Sequence, residues 1–587
     1  MKKTIYIVLL SIAGLSACKK GFEKINTDPT KLALPDMEPV MTQVFKTTAD
    51  RMEQENIYAF WEYAHIIEPA NIGRYQASDD GLWNDFYMTG ANNIRQLRKI
   101  YGDNPKYVNR MAIANIWECY LYSVLVGTYG PVPYTQAGKI TPGIKYDDEN
   151  SIYTSLLSKL KDAAATLANN PTGDKLTTDY IYGGDLTKWL RFANSLRLRI
   201  ALRCQKNLPD VAVAAIKEVM ADEGTLLQSE ADDPKLSYGS ADGSQSQYYL
   251  KYVKSNPGIT TYPVMSDYAQ LYFRSYKDPR MAAYFNKATV GYSIKDTLLS
   301  TNDNLHHIVT YAVPYAGAPK AQKVLPSWGL AFNTWNGANY PNSFSVLPGT
   351  NGTPVTSTSG INIVAPDKPF YFMTYQDVLF MEAEAALLGY GGKKTADQYY
   401  YAGINANFTF WGLTPAQAAA YQAQDGIKWG TSARGFNYVV NITNANIPAD
   451  NFTKIFVQQW LSGYPDNGFD TWALMRRTRF VVPPPHTNAA TGVEINPLFG
   501  DLPDRYIYNS GEKATNPSDY QQAVQLLQGQ KDYASTQLNF AKTYTHLDWT
   551  NLPFTVILDY SMLQKWYGPN VEDLTKANVS FVTNGVY

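Results

Sequence analysis

The stretch Lys106–Gly130, KYVNRMAIANIWECYLYSVLVGTYG, decides the fold class. Ile113, Ile116, Trp117, Tyr120, Leu121 and Val124 recur at i, i+3, i+4, i+7, i+8 and i+11, which sets them on one face of an α-helix. Gly127 and Gly130 close the pattern, and Pro131 and Pro133 lack the amide donors a continuing helix would need. A helix with so apolar a face has to bury it against other elements.

Working outward, helical patterns cover Glu38–Ile67, Leu82–Tyr101 and Glu149–Asn169, the last with Ile152, Leu156, Leu160 and Ala164 on one side. In GGDLTKWLRFANSLRLRIALRCQKN, Asp185 is the expected N-cap, and Trp189, Phe192, Leu196 and Ile200 form the apolar face. Its arginines, Arg191, Arg197, Arg199 and Arg203, read as solvated or carboxylate-paired. A further helix spans Asp210–Asp222, and later helices fall within residues 369–480, with a last one near Pro517–Gln528. Between the blocks, residues 229–367 are rich in Gly, Ser, Asn, Pro, Thr and Tyr, with one helical island near Met265–Phe285. A loop region of that length in a compact protein tends to be functional. The expected fold is mainly α: antiparallel helix pairs of TPR type without a strict period, a loop-rich ligand-binding region and few short strands.

The N-terminus is a separate unit. Met1-Lys2-Lys3 precedes an apolar run, Thr4–Ala17, that is shorter than the roughly 20 residues a membrane-spanning helix needs. A basic start, an apolar stretch and small residues before a break are the parts of a secretory signal. Leu15-Ser16-Ala17-Cys18 resembles a bacterial lipobox, which implies cleavage before Cys18 and a lipid on its sulfur. The division is then a signal peptide over 1–17, a lipidated tether over 18–36 and one domain over 37–587.

Composition narrows the function. Lys+Arg 51 against Asp+Glu 52 leaves a formal net charge of -1, so no bulk field favours nucleic acid. Cys119 and Cys204 sit in helical patterns, where cysteine acts as a small buried hydrophobe, and are expected unpaired. His65, His306, His307, His486 and His546 form no zinc-type pair, and no Gly-x-Ser-x-Gly elbow occurs. GYGGKKT at Gly389–Thr395 lacks the first glycine of a phosphate loop, since position 387 is Leu387, and reads as a helix C-cap. Glu382 and Glu384 stand two apart on a helix and do not face each other. YPDNGFD at Tyr464–Asp470 is too short for a calcium loop and reads as a turn capping the next helix. No catalytic or metal-ligating set emerges. Glycosidases need only two suitably separated carboxylates, so a lipid-anchored all-helical glycoside hydrolase is the competing reading.

Taken in order, several motifs resemble the SusD/RagB family of surface lipoproteins, closest to its SusD-like type 2 branch. They include FEKINTDPTK after the lipid cysteine, YGPVPYTQA (Tyr129–Ala137), YGGDLTKWLRFANSLRLRIALR, DPR (Asp278–Arg280), TYQDVLFMEAEAALLG, QQWLSGYPDNGFDTWALMRRT and LPDRYIYNSGEKATNPSDYQQA. Asp470 stands where the family commonly has Glu. The resemblance implies a non-enzymatic binding protein with no cofactor beyond the lipid on Cys18. It implies attachment to the outer membrane, facing the exterior, and a SusC-type TonB-dependent transporter as partner. The ligand would be an oligosaccharide or a peptide that the protein passes to that barrel as its lid.

Sugar rings pack C–H faces on aromatic rings, and their hydroxyls need polar partners nearby. The candidates are Tyr75, Trp328, Trp335 and Tyr340, with Arg74 and Asn339 as polar partners. Trp83 and Tyr87 read as structural, Trp189, Trp460 and Trp472 as core, and Arg476 and Arg477 as paired with carboxylates. A Cys18→Ser chain is expected in the soluble periplasmic fraction; unchanged membrane retention on fractionation would contradict lipidation.

Overall fold

The computed structural model describes residues 35–68, 80–139, 143–255, 264–266, 269, 273, 276, 278–286, 361–424, 426–431, 451–480 and 503–543, plus the backbone of four strands within 292–313 and 554–585. The first block of helices is α1 (Met37–Glu55), α2 (Asn92–Tyr101), α3 (Val108–Tyr129), α4 (Glu149–Asn169), α5 (Leu186–Cys204) and α6 (Pro209–Ala221). The second comprises α7 (Tyr375–Leu387), α8 (Ala396–Phe410), α9 (Pro415–Gln422), α10 (Asn451–Ser462) and α11 (Gly468–Thr478), followed by α12 (Pro517–Leu526). Consecutive helices pack as pairs: α3 on α4, α4 on α5, α5 on α6, and α7 on α8. The blocks meet where α7 packs on α5 and α10 packs on α7.

The caps explain the helix starts. Asp185 accepts from Thr187 N at 2.9 Å and Lys188 N at 3.2 Å, as expected of an N-cap. Asp148 accepts from Ser151 N at 3.0 Å at the head of α4. Thr395 and Thr414 close capping boxes with Gln398 and Gln417 at the heads of α8 and α9.

α3 departs from the single apolar face read in its sequence. Nearly every residue from Met111 to Tyr129 is buried, because α1, α2, α4 and α5 surround it. Its interior charge, Glu118, is met by Arg98 Nη2 at 2.5 Å and Lys159 Nζ at 2.8 Å. Two hydrophobic clusters result. One is centred on α1–α6 and reaches Phe469 and Trp472; the other gathers Trp61, Ile67, Met265, Tyr284, Ile363, Phe380, Trp411 and Trp460.

The strands are more than the sequence suggested. β1 (Ile67–Glu68) pairs antiparallel with β3 (Val264–Met265), and β2 (Lys235–Leu236) with β6 (Phe370–Tyr371). β4 (Tyr292–Ser300), β5 (His306–Val313), β7 (Phe554–Leu558) and β8 (Val579–Gly585) form an antiparallel sheet in the order β5-β4-β8-β7. The aromatic tail read after α12 therefore contributes β7 and β8. The helical island near Met265–Phe285 narrows to Arg280–Tyr284 among its described residues.

Arg477 pairs with Glu384 at 2.6 and 2.5 Å, as expected. Arg476 corrects its expectation: it binds backbone instead of a carboxylate. Its Nη1 donates to Gly127 O at 2.8 Å and Asp504 O at 2.7 Å, and its guanidinium lies 3.4 Å from the Trp472 ring centroid. Burial pushes this group down to about 9. Gly127 is required at this junction, since a Cβ there would stand 2.7 Å from the Phe469 ring. The C-terminal segment is laced to the end of α3 by the same region: Tyr506 N donates to Thr128 O at 2.8 Å and Arg505 Nε to Tyr129 O at 3.0 Å.

Replacing Arg476 by Met would leave the Gly127 and Asp504 carbonyls unpaired in the interior, at about 1–3 kcal/mol each. Arg476→Met is expected to lower stability by about 3 kcal/mol or more in urea unfolding; a change under about 0.5 kcal/mol would contradict this role.

Candidate functional site

After Glu55, α1 widens into a π turn, Asn56–Phe60, and ends with Trp61–Tyr63. Two side chains of this stretch reach a distant hairpin: Asn56 Nδ2 donates to Asp466 O and Trp61 Nε1 to Pro465 O, each at 2.8 Å. The wide turn leaves Tyr58 44% exposed, whereas Phe60 and Trp61 are fully buried. A second π turn, Leu250–Lys254, lies beside it, with Lys251 Nζ 5.0 Å from the Tyr58 ring centroid. π turns inserted in helices are frequent at functional sites.

A buried charge cluster holds this platform. Lys368 Nζ meets Asp466 at 2.5 Å and Glu53 at 3.5 Å, all three enclosed. Glu53 also accepts from Gln247 N at 2.6 Å, and Asp466 from Tyr371 N at 3.1 Å. Burial raises Glu53 to about 8, against the attraction of Lys368. The YPDNGFD turn thus differs from its expected part as a side-chain cap: Asn467 makes no cap bond to α11, and Asp466 is spent on Lys368.

The described ends of three chain segments converge here. Glu68, which precedes residues 69–79, pairs with Val264, which follows residues 256–263. Ser266 Oγ ties the same corner by donating to His65 O at 2.6 Å. Residues 314–360 follow Val313 of β5 and return at Ile361, where Ile363 and Val364 are buried in the cluster that also holds Ile67 and Met265. Ser246 N donates to Pro366 O at 2.8 Å, fixing that return next to the Glu53–Gln247 contact.

Those segments carry the expected binding residues. Arg74 and Tyr75 belong to 69–79, and Trp328, Trp335, Asn339 and Tyr340 to 314–360; these six and Cys18 lie outside the described residues. Sequence reading missed Tyr58 and Lys251. The available signal was a tyrosine on the outward side of an otherwise buried aromatic run, NIYAFWEY. Trp83 is structural, as expected: it is buried, 4.8 Å from Tyr87 and 5.1 Å from Tyr129 between ring centroids. Trp189, Trp460 and Trp472 are core.

The described acids give the site little proton-transfer chemistry. Glu149 and Glu382 are pushed up to about 8, in both cases chiefly by burial, and both lie inside helix packing. Cys119 and Cys204 are free and buried, their thiols pushed up to about 12, which makes them poor nucleophiles. Among the described residues no group of three or more His, Cys, Asp or Glu could hold a metal ion, and no helix is long and apolar enough to cross a membrane.

Two family models match the chain. The model described as "Starch-binding associating with outer membrane" covers residues 29–309, and the one described as "Susd and RagB outer membrane lipoprotein" covers 337–541. No curated protein matches. Among solved structures, a chitin-binding SusD homologue from Flavobacterium johnsoniae is 20% identical with a TM-score of 0.64, over 87% of this chain and 100% of its own. A SusD homologue from Bacteroides uniformis is 22% identical with a TM-score of 0.65, over 86% of this chain and 99% of its own. A SusD-like protein from Bacteroides thetaiotaomicron is 21% identical with a TM-score of 0.64, over 87% and 100%. At these identities the likeness shows the fold.

Glu382 gives a test of the buried acids. Burial, then Glu223, raises its carboxyl from 4.5 to about 8, against Lys394. A raised carboxyl favours the folded state fully below the ordinary value, and that contribution is lost as pH rises toward 8. Glu382→Gln is expected to gain melting temperature over the parent progressively between about pH 5 and pH 8. A difference independent of pH would contradict a neutral Glu382.

Proposed function

The chain belongs to the SusD/RagB family of outer-membrane lipoproteins, and on that premise we propose that it captures an oligosaccharide at the cell surface and hands it to a SusC-type TonB-dependent transporter. It acts as the lid of that barrel, held to the outer membrane by lipid on Cys18 and facing outward. It binds its ligand without cleaving it, in keeping with a family of binding proteins.

One observation carries the reading. The segments bearing Tyr75 and Arg74, and Trp328, Trp335, Asn339 and Tyr340, have their described ends around a single rigid platform, the Tyr58–Lys251 corner and its Glu53–Lys368–Asp466 support. Helix pairs supply the rigid body, and long segments springing from one corner supply adaptable side chains. Aromatic rings offer apolar faces to a sugar, while Arg74 and Asn339 offer donors to its hydroxyls. Two of the structurally similar proteins are described as chitin-binding, which supports a glycan as the ligand class.

Calorimetry against a panel of defined oligosaccharides and peptides tests this. A glycan is expected to bind, and Trp328→Ala or Trp335→Ala to weaken it by about tenfold or more, with melting temperature unchanged, since a lost ring contact of about 1.4 kcal/mol is a factor of ten. Peptide binding alone would transfer the site to the peptide reading. Bond cleavage by the purified protein, abolished by one carboxylate substitution, would replace the binding reading with a hydrolase.

A further inference from the structure

The chain enters the folded body at Pro35, whose carbonyl accepts from Tyr101 Oη at 3.1 Å. Around that point three pieces of chain are locked into one rigid end. Glu38 accepts from Thr177 N, Thr178 N and the Thr178 hydroxyl, each at 2.9 Å, and meets Arg110 at 3.5 Å. Asp174 accepts from Asn109 N at 3.0 Å and Arg110 N at 3.1 Å. Tyr101 and Tyr107 stack with ring centroids 4.2 Å apart, and Arg110 lies 4.9 Å from the Tyr107 centroid.

This end presents an unusual face to solvent. Tyr180 is 61% exposed, well above Tyr58 and Tyr533, and Val108 is exposed beside the half-buried Tyr107. Lys99, Lys106 and Lys175 are exposed here, and none is among the printed ion pairs of the described residues. The carboxylates Glu38 and Asp174 are spent on the backbone amides and Arg110. Asp36 caps α1, accepting from Glu38 N at 3.1 Å, which leaves Asp103 as the exposed acid nearest these lysines in sequence. Tyrosine, with an apolar ring and a polar tip, suits the headgroup level of a bilayer, and lysine suits anionic phosphate.

We propose that this end of the molecule, with Tyr180, Val108, Lys99, Lys106 and Lys175, docks on the phosphate-bearing lipid surface that holds the anchor. The inference rests on lipidation at Cys18. Seventeen residues separate Cys18 from Pro35, a reach of at most about 60 Å when extended, so the anchor keeps this end within range of the bilayer without by itself pressing it there. The aromatic and ammonium groups supply the contact that orients the body, and the opposite loops are left facing away from the lipid.

The test uses the full lipidated chain bound to phosphatidylcholine vesicles with and without phosphatidylglycerol. Lysine acetylation is read residue by residue by mass spectrometry, with the exposed Lys217 and Lys428 as internal references. Labelling of Lys106 and Lys175 is expected to fall by about threefold or more in the anionic vesicles only, and to recover near 1 M salt, where the screening length falls to about 3 Å. Lys106→Glu with Lys175→Glu is expected to keep flotation with the vesicles and restore labelling at Lys99. A chain that floats while all lysines label alike overturns the docking alone. A chain that does not float overturns the anchor, and the docking with it.

Discussion

The two helix blocks are joined by one buried charge relay. Asp470, on α11, accepts from Arg199 Nη1 at 2.6 Å and Arg203 Nη2 at 2.5 Å, both on α5. Arg199 passes to Asp377 of α7 at 2.7 Å, and Asp377 accepts from Gln459 of α10 at 2.7 Å. Four helices from opposite ends of the loop-rich region therefore share one set of ions. Such ions are stable in the interior only as a set: removing one partner from a buried pair costs about 3–5 kcal/mol, because its mate is left without compensation. The packing of α7 on α5 brings the two ends of the set together, and Asp470 spans the two arginines although it is one methylene shorter than glutamate.

The relay also positions the platform. α11 follows directly on the 464–467 turn, whose carbonyls receive Asn56 and Trp61 and whose Asp466 receives Lys368. With α11 fixed by α5, the turn is fixed, and through it the π turn at Asn56–Phe60 and the corner from which the three segments depart. Rigidity made in the helical body is in this way delivered to loops that carry recognition.

Much of this was legible in the sequence because the signals are local. Helix faces, the Asp185 cap, the buried free cysteines and the carboxylate-paired arginines of α5 follow from spacing and residue type. What escaped depends on partners distant in the chain. Arg476 looks like any arginine near a helix end, and only the fold brings Gly127 and Asp504 carbonyls to it. β4 finds β8 across some 280 residues, with Leu298 opposite Phe581, and short pairings of that separation leave no local pattern. The π turns, and hence Tyr58 and Lys251, are set by the Pro465 and Asp466 carbonyls more than by the residues of the turns themselves. The recognition residues were chosen by type alone, as aromatics among turn formers, and the fold bears on them through the points where their segments begin and end.

A helical body of paired hairpins, a rigid corner and an N-terminal lipid signal together describe a binding partner for something else in the membrane. The most direct measurement is affinity purification of the lipidated chain from outer membranes in mild detergent, with its associated proteins identified by mass spectrometry. The account predicts a TonB-dependent barrel in near-equal amount. Recovery of the chain without any such barrel would contradict it.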